Sequence, residues 1–287
     1  MDVVKGRTDI YVNDVAYTRS GDRIFSKAGN IKSKFLKKFI EEIQYKNRNP
    51  QDIKVLEMLK DISTNPERRI SVGANLYRCR IIEDISKTGK EKSFFGYGKS
   101  DSFVPPAERT SDLRANYRYI PYLYCANDPY TALVEVRPRL GSNVSVATII
   151  VNTELTLLDF TLKNIPKRMR ESKLNLFADL SILYSKPVAS DDDTLDYIPT
   201  QFVAEYAKRL GYDGIAFRSS LTPELSNQDV YKDENMDRYN IVVFNYQKCE
   251  PIASNIVNIT RNYLECEQID EATRRIDIHP TILDMSY

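Results

Sequence analysis

Apolar residues recur at helical spacing near the start of the chain. Ile31, Phe35, Leu36, Phe39, Ile40 and Ile43 share one face, Asn47 to Pro50 interrupts, and Ile53, Leu56, Leu59 and Ile62 resume the period. The pattern predicts a helical hairpin with lysine-rich outer faces, so residues 1–70 read as an N-terminal helical segment. That segment is either a cap packed on the main body or a docking surface for a partner. Residues before about Lys27 show no clear period.

From Ala74 the texture changes to short β-rich runs alternating with helical periods. LYRCRII, SVATIIV and LTLLDF predict strands, and NLFADLSILYS carries a helix period after the basic stretch PKRMRESK. Pro199 precedes QFVAEYAKRL, apolar at Phe202, Val203, Tyr206 and Leu210, and Gly211 stands where a helix would end. GIAFRS and YNIVVF read as further strands. This alternation predicts the α/β (α+β) class, with a mixed central sheet flanked by helices and no readable strand order. A main domain over 74–260 and a C-terminal tail over 261–287 follow.

The densest chemistry lies in RANYRYIPYLYCANDPYTALVE, from Arg114 to Glu135. Ile120 to Ala126 reads as a buried strand; Asp128 is an N-cap with Pro129 at the first helical position, which puts Glu135 in the second turn of a helix. There the carboxylate is either a solvated charge or a group aimed at a pocket.

Composition narrows the chemistry. Lys and Arg total 41 against 40 Asp and Glu, so a net charge of +1 gives no global attraction to nucleic acid or to an anionic membrane. Any anion site must be local. The opening residues lack an apolar leader and no run approaches the ~18 apolar residues of a membrane span, so a soluble cytoplasmic protein is expected. Cys79, Cys125, Cys249 and Cys266 form no CxxC pair and read as reduced thiols. The single histidine, His279, speaks against Ser-His-Asp, Cys-His and His-based zinc centres, and no metal site is expected. Its R-x4-H spacing from Arg274, seen in some ribonucleases, runs into Pro280, where a helix would stop. No GxGxxG or GxxxxGK[ST] occurs. FGYGKSDSFVPP at 95–106 instead predicts a loop over the site, with Lys99 near phosphate.

Several segments, in order, resemble the RES domain family, named for its arginine, glutamate and serine. LYRCR looks like the first family strand, FVPPAERTSDLRAN leads to the arginine position at Arg114, and YLYCA carries Tyr124. TALVEVRP carries Glu135, GIAFRSS places the serine at Ser219 with Ser220 as a rival, and YNIVVF closes the domain. Together they span about residues 74 to 250. Tyr117 and Tyr119 depart from the proline and glycine common in relatives, so the loop beside Arg114 is expected to differ in shape.

The resemblance implies a RES-like catalytic domain with a fold similar to ADP-ribosyltransferases. It also implies an enzyme that degrades NAD by phosphorolysis or hydrolysis, as in toxins of toxin-antitoxin pairs, with an antitoxin as partner. NAD would be substrate rather than cofactor, and the acceptor, whether water, inorganic phosphate or protein, is left open. Protein ADP-ribosylation and a non-catalytic nucleotide-binding module are the alternatives. Loss of nicotinamide builds positive charge on the ribose, which a fixed carboxylate at Glu135 would stabilise. Arg114 suits the pyrophosphate bidentately, with Arg78 a second anion ligand. Ser219 would hydrogen-bond phosphate or amide, and Tyr124 would pack on a ring while its hydroxyl stays bonded. Taken singly, Arg114 equally suits an ion pair with Asp112 or Glu108, and Ser219 a plain strand end.

Overall fold

The computed structural model describes residues 31–185, 194–219 and 238–261, together with the backbone of three short strands before them. Those strands, β1 (Ile10–Val12), β2 (Val15–Tyr17) and β3 (Arg23–Ile24), form a small antiparallel sheet where the sequence showed no period. Ser220, Cys266, Arg274 and His279 lie outside the described residues.

The N-terminal hairpin forms as α1 (Lys34–Tyr45) and α2 (Lys54–Lys60), burying Leu36, Phe39 and Ile43 from the first and Val55, Leu56 and Leu59 from the second. Ile62 falls beyond α2 and is 51% exposed, so the apolar period overran the helix by two residues. Both helices share one core with α4 (Glu171–Ser185) and α5 (Ile198–Arg209), where the rings of Phe39 and Phe202 lie 5.7 Å apart. A buried carboxylate anchors this packing. Asp179 on α4 accepts the Ser33 N–H at 2.7 Å and the Lys32 N–H at 3.3 Å, while the Ser33 hydroxyl accepts from Leu36 N–H at 3.2 Å. The first turn of α1 carries no acidic residue of its own; Asp179 supplies the negative charge that the N-terminus favours.

The remaining strands are β4 (Glu67–Ile70), β5 (Asn75–Ile81), β6 (Leu123–Ala126), β7 (Asn143–Val151), β8 (Leu155–Asp159), β9 (Gly214–Phe217), β10 (Asn240–Val243) and β11 (Cys249–Asn258). They form one eight-stranded sheet in the order β11-β7-β5-β6-β10-β9-β8-β4. Every pairing is antiparallel except β8 with β9, whose crossover contains α4 and α5, so the sheet is mixed as the sequence predicted. β6 is shorter than the run from Ile120 because Pro121 lacks the N–H a strand ladder needs. β9 begins at Gly214, where a Cβ would sit 2.3 Å from the Val242 carbonyl oxygen; only glycine lets β9 and β10 approach this closely. Helix α5 ends as expected at Gly211, whose φ of +95° is the left-handed conformation that glycine adopts freely.

One pairing decides where a site can form. β5 and β6 meet at a single residue pair, Tyr77 opposite Ala126, whereas β5 and β7 pair over Asn75 to Ile81. On one face a continuous apolar cluster, including Leu76, Leu123, Ile149 and Ile241, spans this weak seam. On the other face the apolar contacts divide into the helical core and a smaller cluster of Cys79, Ala126, Ala132 and Val144 under α3 (Pro129–Glu135). Among the described residues no helix is long and apolar enough to cross a membrane.

Two stability predictions follow from the buried polar groups. Asp179→Ala is expected to destabilise the protein by about 2 kcal/mol in denaturant unfolding, since two N–H groups lose their acceptor. The exposed Lys54–Glu57 pair provides a control expected to matter by under about 0.5 kcal/mol. Lys173 is 5% exposed, and burial lowers its amine to about 8 against the partial offset of Asp61. Above that value the folded protein holds fewer protons than the unfolded chain, so stability rises with pH. Between about pH 8 and 9 this group alone contributes a rise of about 1 kcal/mol, which the buried Cys79, Cys125 and Cys249 thiols oppose because they titrate in the unfolded chain and stay protonated in the fold. Urea unfolding at the two pH values should give a stability change in the parent that exceeds the change in Lys173→Met by about 1 kcal/mol, the thiol contribution being common to both.

Candidate active site

The seam between β5 and β6 opens into a cavity of about 460 Å³, lined by Tyr77 and Arg78 from β5, Tyr124 from β6 and Glu135 from α3. Arg114, Arg137 and Arg218 add three more guanidinium groups, and Tyr184, Tyr197 and Phe217 add aromatic walls. Tyr184 stacks between Phe160 and Phe217, at 5.0 and 5.4 Å between centroids, and donates its hydroxyl to the Thr200 carbonyl at 2.7 Å. That wall is rigid because both its ring faces and its polar tip are engaged.

Glu135 occupies the last residue of α3, a helix started by Asp128, whose Oδ1 accepts the Thr131 N–H at 3.0 Å. Its side chain is exposed at the cavity mouth, yet its position is set by two donors. The Asn240 amide donates to Oε1 at 2.7 Å and the Ser219 hydroxyl donates to the same oxygen at 2.5 Å. β9 leads directly into Ser219 and β10 opens with Asn240, so three chain segments converge on one carboxylate oxygen. The sequence-predicted Glu135 and Ser219 are thus in contact, although Ser219 meets the glutamate rather than lining the cavity wall.

Arg78 is half-buried, and its buried Nη1 has no hydrogen-bond partner. Burial first, then the neighbouring Arg80, lowers its guanidinium to about 10, so it remains charged at neutral pH. Arg114 donates from Nη1 to the Leu183 carbonyl at 2.6 Å and lies over the Tyr197 ring at 5.7 Å. Arg218 donates from Nε to the Thr161 carbonyl at 3.2 Å. Four guanidinium groups against the one carboxylate of Glu135 make the lining positive, within a chain of net charge +1. Burial pushes the Cys79 thiol up to about 12 and raises the Cys125 thiol, so neither supplies a thiolate at neutral pH.

Tyr124 has a different task from a free ring. Its hydroxyl donates to Asn116 Oδ1 at 2.7 Å and accepts the Ala115 N–H at 3.1 Å. It therefore fixes the loop that carries Arg114, and burial raises its phenol above the usual range. Gln201 on α5 holds the same loop, donating to the carbonyls of Leu113 and Asn116, each at 2.9 Å. Tyr119 in this loop adopts a left-handed φ of +70°.

One expectation fails. Lys99 does not reach the cavity: it forms an ion pair with Glu250 on β11, and the 95–100 loop docks on the outer sheet edge through bonds from Phe95 and Gly96 to Ser254. Gly96 explains this docking, since a Cβ there would collide with Ser145 Oγ at 2.2 Å. Sequence reading also missed Asn240, Arg137 and Arg218. A polar residue opening the otherwise apolar run YNIVVF was the available signal for Asn240.

A family model described as RES domain matches residues 88–263, a span that contains Arg114, Tyr124, Glu135 and Ser219 and begins after Arg78. Among solved structures, a chain of the crystal structure of the M. tuberculosis MbcT-MbcA toxin-antitoxin complex is 14% identical with a TM-score of 0.40, covering 71% of this chain and 93% of that one. No curated protein sequence matches.

Tyr124→Phe keeps the ring and removes the hydroxyl. It should lower stability by about 1–2 kcal/mol and speed hydrogen exchange at the Ala115 amide; unchanged exchange would deny the hydroxyl its hold on the Arg114 loop.

Proposed function

The chain belongs to the RES domain family, and on that footing we propose that it is an enzyme that degrades NAD. It cleaves the nicotinamide–ribose bond by phosphorolysis or hydrolysis and acts as the toxin of a toxin-antitoxin pair or related bacterial defence system. The observation that carries the reading is the Glu135 carboxylate, fixed through one oxygen by Asn240 and Ser219 at the mouth of a cavity lined by four arginines.

The chemistry fits those groups. As the bond from ribose C1′ to the nicotinamide nitrogen breaks, the electron pair leaves with neutral nicotinamide and positive charge grows on C1′ and the ring oxygen. Oε1 of Glu135 is occupied by two donors, which leaves Oε2 as the oxygen to face that charge. A carboxylate already oriented needs no reorganisation as the charge appears, which is the main source of electrostatic rate acceleration. Arg78 and Arg114 offer donors to the pyrophosphate, and Tyr77, Tyr197 and Phe217 offer faces to the two bases. No protein acid is needed, because the leaving group departs neutral. Water or inorganic phosphate then attacks C1′. An antitoxin would restrain the enzyme by covering the cavity mouth.

Exposure of Glu135 at the mouth favours one second reading, transfer of ADP-ribose to a protein side chain, since such an acceptor can reach the ribose from outside.

Purified protein is expected to release nicotinamide from NAD, with Glu135→Gln slower by at least about 100-fold in kcat and Asn240→Ala slowed less. Arg114→Ala should act mainly on KM. Dependence on added phosphate identifies phosphorolysis, and label from adenine-labelled NAD appearing on protein identifies the transferase. Absence of release under every condition, with intact folding, would sink the proposal.

A further inference from the structure

Arg137 stands where the local backbone calls for glycine. Helix α3 ends at Glu135, Val136 caps it at φ −82° and ψ 0°, and Arg137 then turns left-handed at φ +46°, with its N–H bonded to the Val134 carbonyl at 3.0 Å. Pro138 follows, as prolines often do after a helix end. Helix α5 makes the same kind of exit with Gly211 at φ +95°, away from the cavity lining. A side chain at such a position crowds its own backbone, and glycine removes that strain. Burial does not explain the exception, because Arg137 is exposed. What the arginine provides is a guanidinium on the cavity lining, two residues beyond Glu135. Among the described residues Ser93, Tyr119, Arg137 and Leu162 are the non-glycine residues with left-handed φ, and of these Arg137 alone lines the cavity, so its strain and its place together motivate a functional role.

We infer that Arg137 is a ligand-contacting residue that donates to an oxygen of the substrate's pyrophosphate at the cavity mouth. This rests on the dinucleotide reading of the cavity. Arg78 on β5 has its Nη1 buried, whereas Arg137 beyond α3 is exposed, so one guanidinium of the lining lies inside the cavity and the other at its rim. The exit of α3 thereby joins the catalytic carboxylate to a phosphate donor through one intervening residue, Val136. The short link fixes the pyrophosphate relative to the ribose, which is the geometry that positioning requires.

The test uses ADP-ribose as the probe, titrated calorimetrically into the full chain and into Arg137→Gly and Arg137→Ala, with thermal midpoints for all three. Both variants should bind about tenfold more weakly, as expected for loss of one charge-assisted donor. Only the glycine variant relieves the backbone, so its midpoint should rise while that of alanine does not. Unchanged affinity in either variant overturns the inference and leaves the proposed function standing. A glycine variant that binds weakly but melts lower than the parent also overturns it, since the arginine would then be structural. A parent that binds neither ADP-ribose nor NAD removes the dinucleotide reading itself, and the inference with it.

Discussion

A single residue pair, Tyr77 opposite Ala126, joins the two halves of the eight-stranded sheet, and the rest of the molecule is arranged around that weak seam. A full ladder there would satisfy more backbone groups but would close the space between β5 and β6. The halves stay together because the apolar cluster around Leu76, Leu123, Ile149 and Ile241 crosses the seam on one face without interruption. On the opposite face the apolar crossing narrows to the small cluster of Cys79 on β5 and Ala126 on β6 under α3. The helical core ends at Tyr184 and Phe217, the smaller cluster begins at Cys79 and Ala132, and all four of these residues line the cavity between. Hydrophobic burial, being non-directional, can hold the sheet from one side and leave the other open.

Keeping Glu135 in place across such a seam requires directional contacts, and these come from the far half of the sheet. Asn240, which bonds the carboxylate, follows Tyr239, and that residue is tied on two sides. Its backbone exchanges bonds with Asn127, at 2.8 Å to the Asn127 side chain and 3.2 Å from the Asn127 N–H. Its ring carries the Arg68 guanidinium at 4.0 Å. Arg68 is in turn paired with buried Asp159 at 3.1 Å and bonded to Thr161 at 3.0 Å. A buried ion pair of this kind is weak evidence for stability, because desolvation offsets much of the attraction. Its value here is geometric: it holds β4, β8 and the entry to β10 in one register behind the carboxylate.

The sequence made legible those features that arise from local patterning. The period of α1, the Asp128–Pro129 start of α3 and the Gly211 stop of α5 each reflect contacts within a few residues, and each appears in the structure. Strands β4 and β11 were not legible because they are edge strands. Glu67 and Arg69 face solvent on β4, and β11 carries Pro251 beside a break in its register, so neither shows the apolar run of an inner strand. The same limit applies to the site. Arg114, Tyr124, Glu135 and Ser219 could be singled out by motif order, but no local signal foretold that Asn240 would reach a helix 105 positions earlier in the chain. Lys99 was misjudged for the same reason: its partner, Glu250, lies 151 positions away.

The cavity is also a place where stability is sacrificed. Arg78 holds a charged donor in low dielectric with Nη1 unpartnered, and a buried polar group without a partner costs on the order of 1–3 kcal/mol. Arg114 and Arg218 add like charge to the same lining, which raises the free energy of the empty site further. Both penalties have the same remedy. An anion seated against Arg78 would satisfy the orphan donor and offset the repulsion at once, so part of what the fold loses in the empty state returns as affinity. A near-neutral protein can in this way bind an anion tightly at one place and show no general attraction for polyanions, because the charge is concentrated by burial rather than by number.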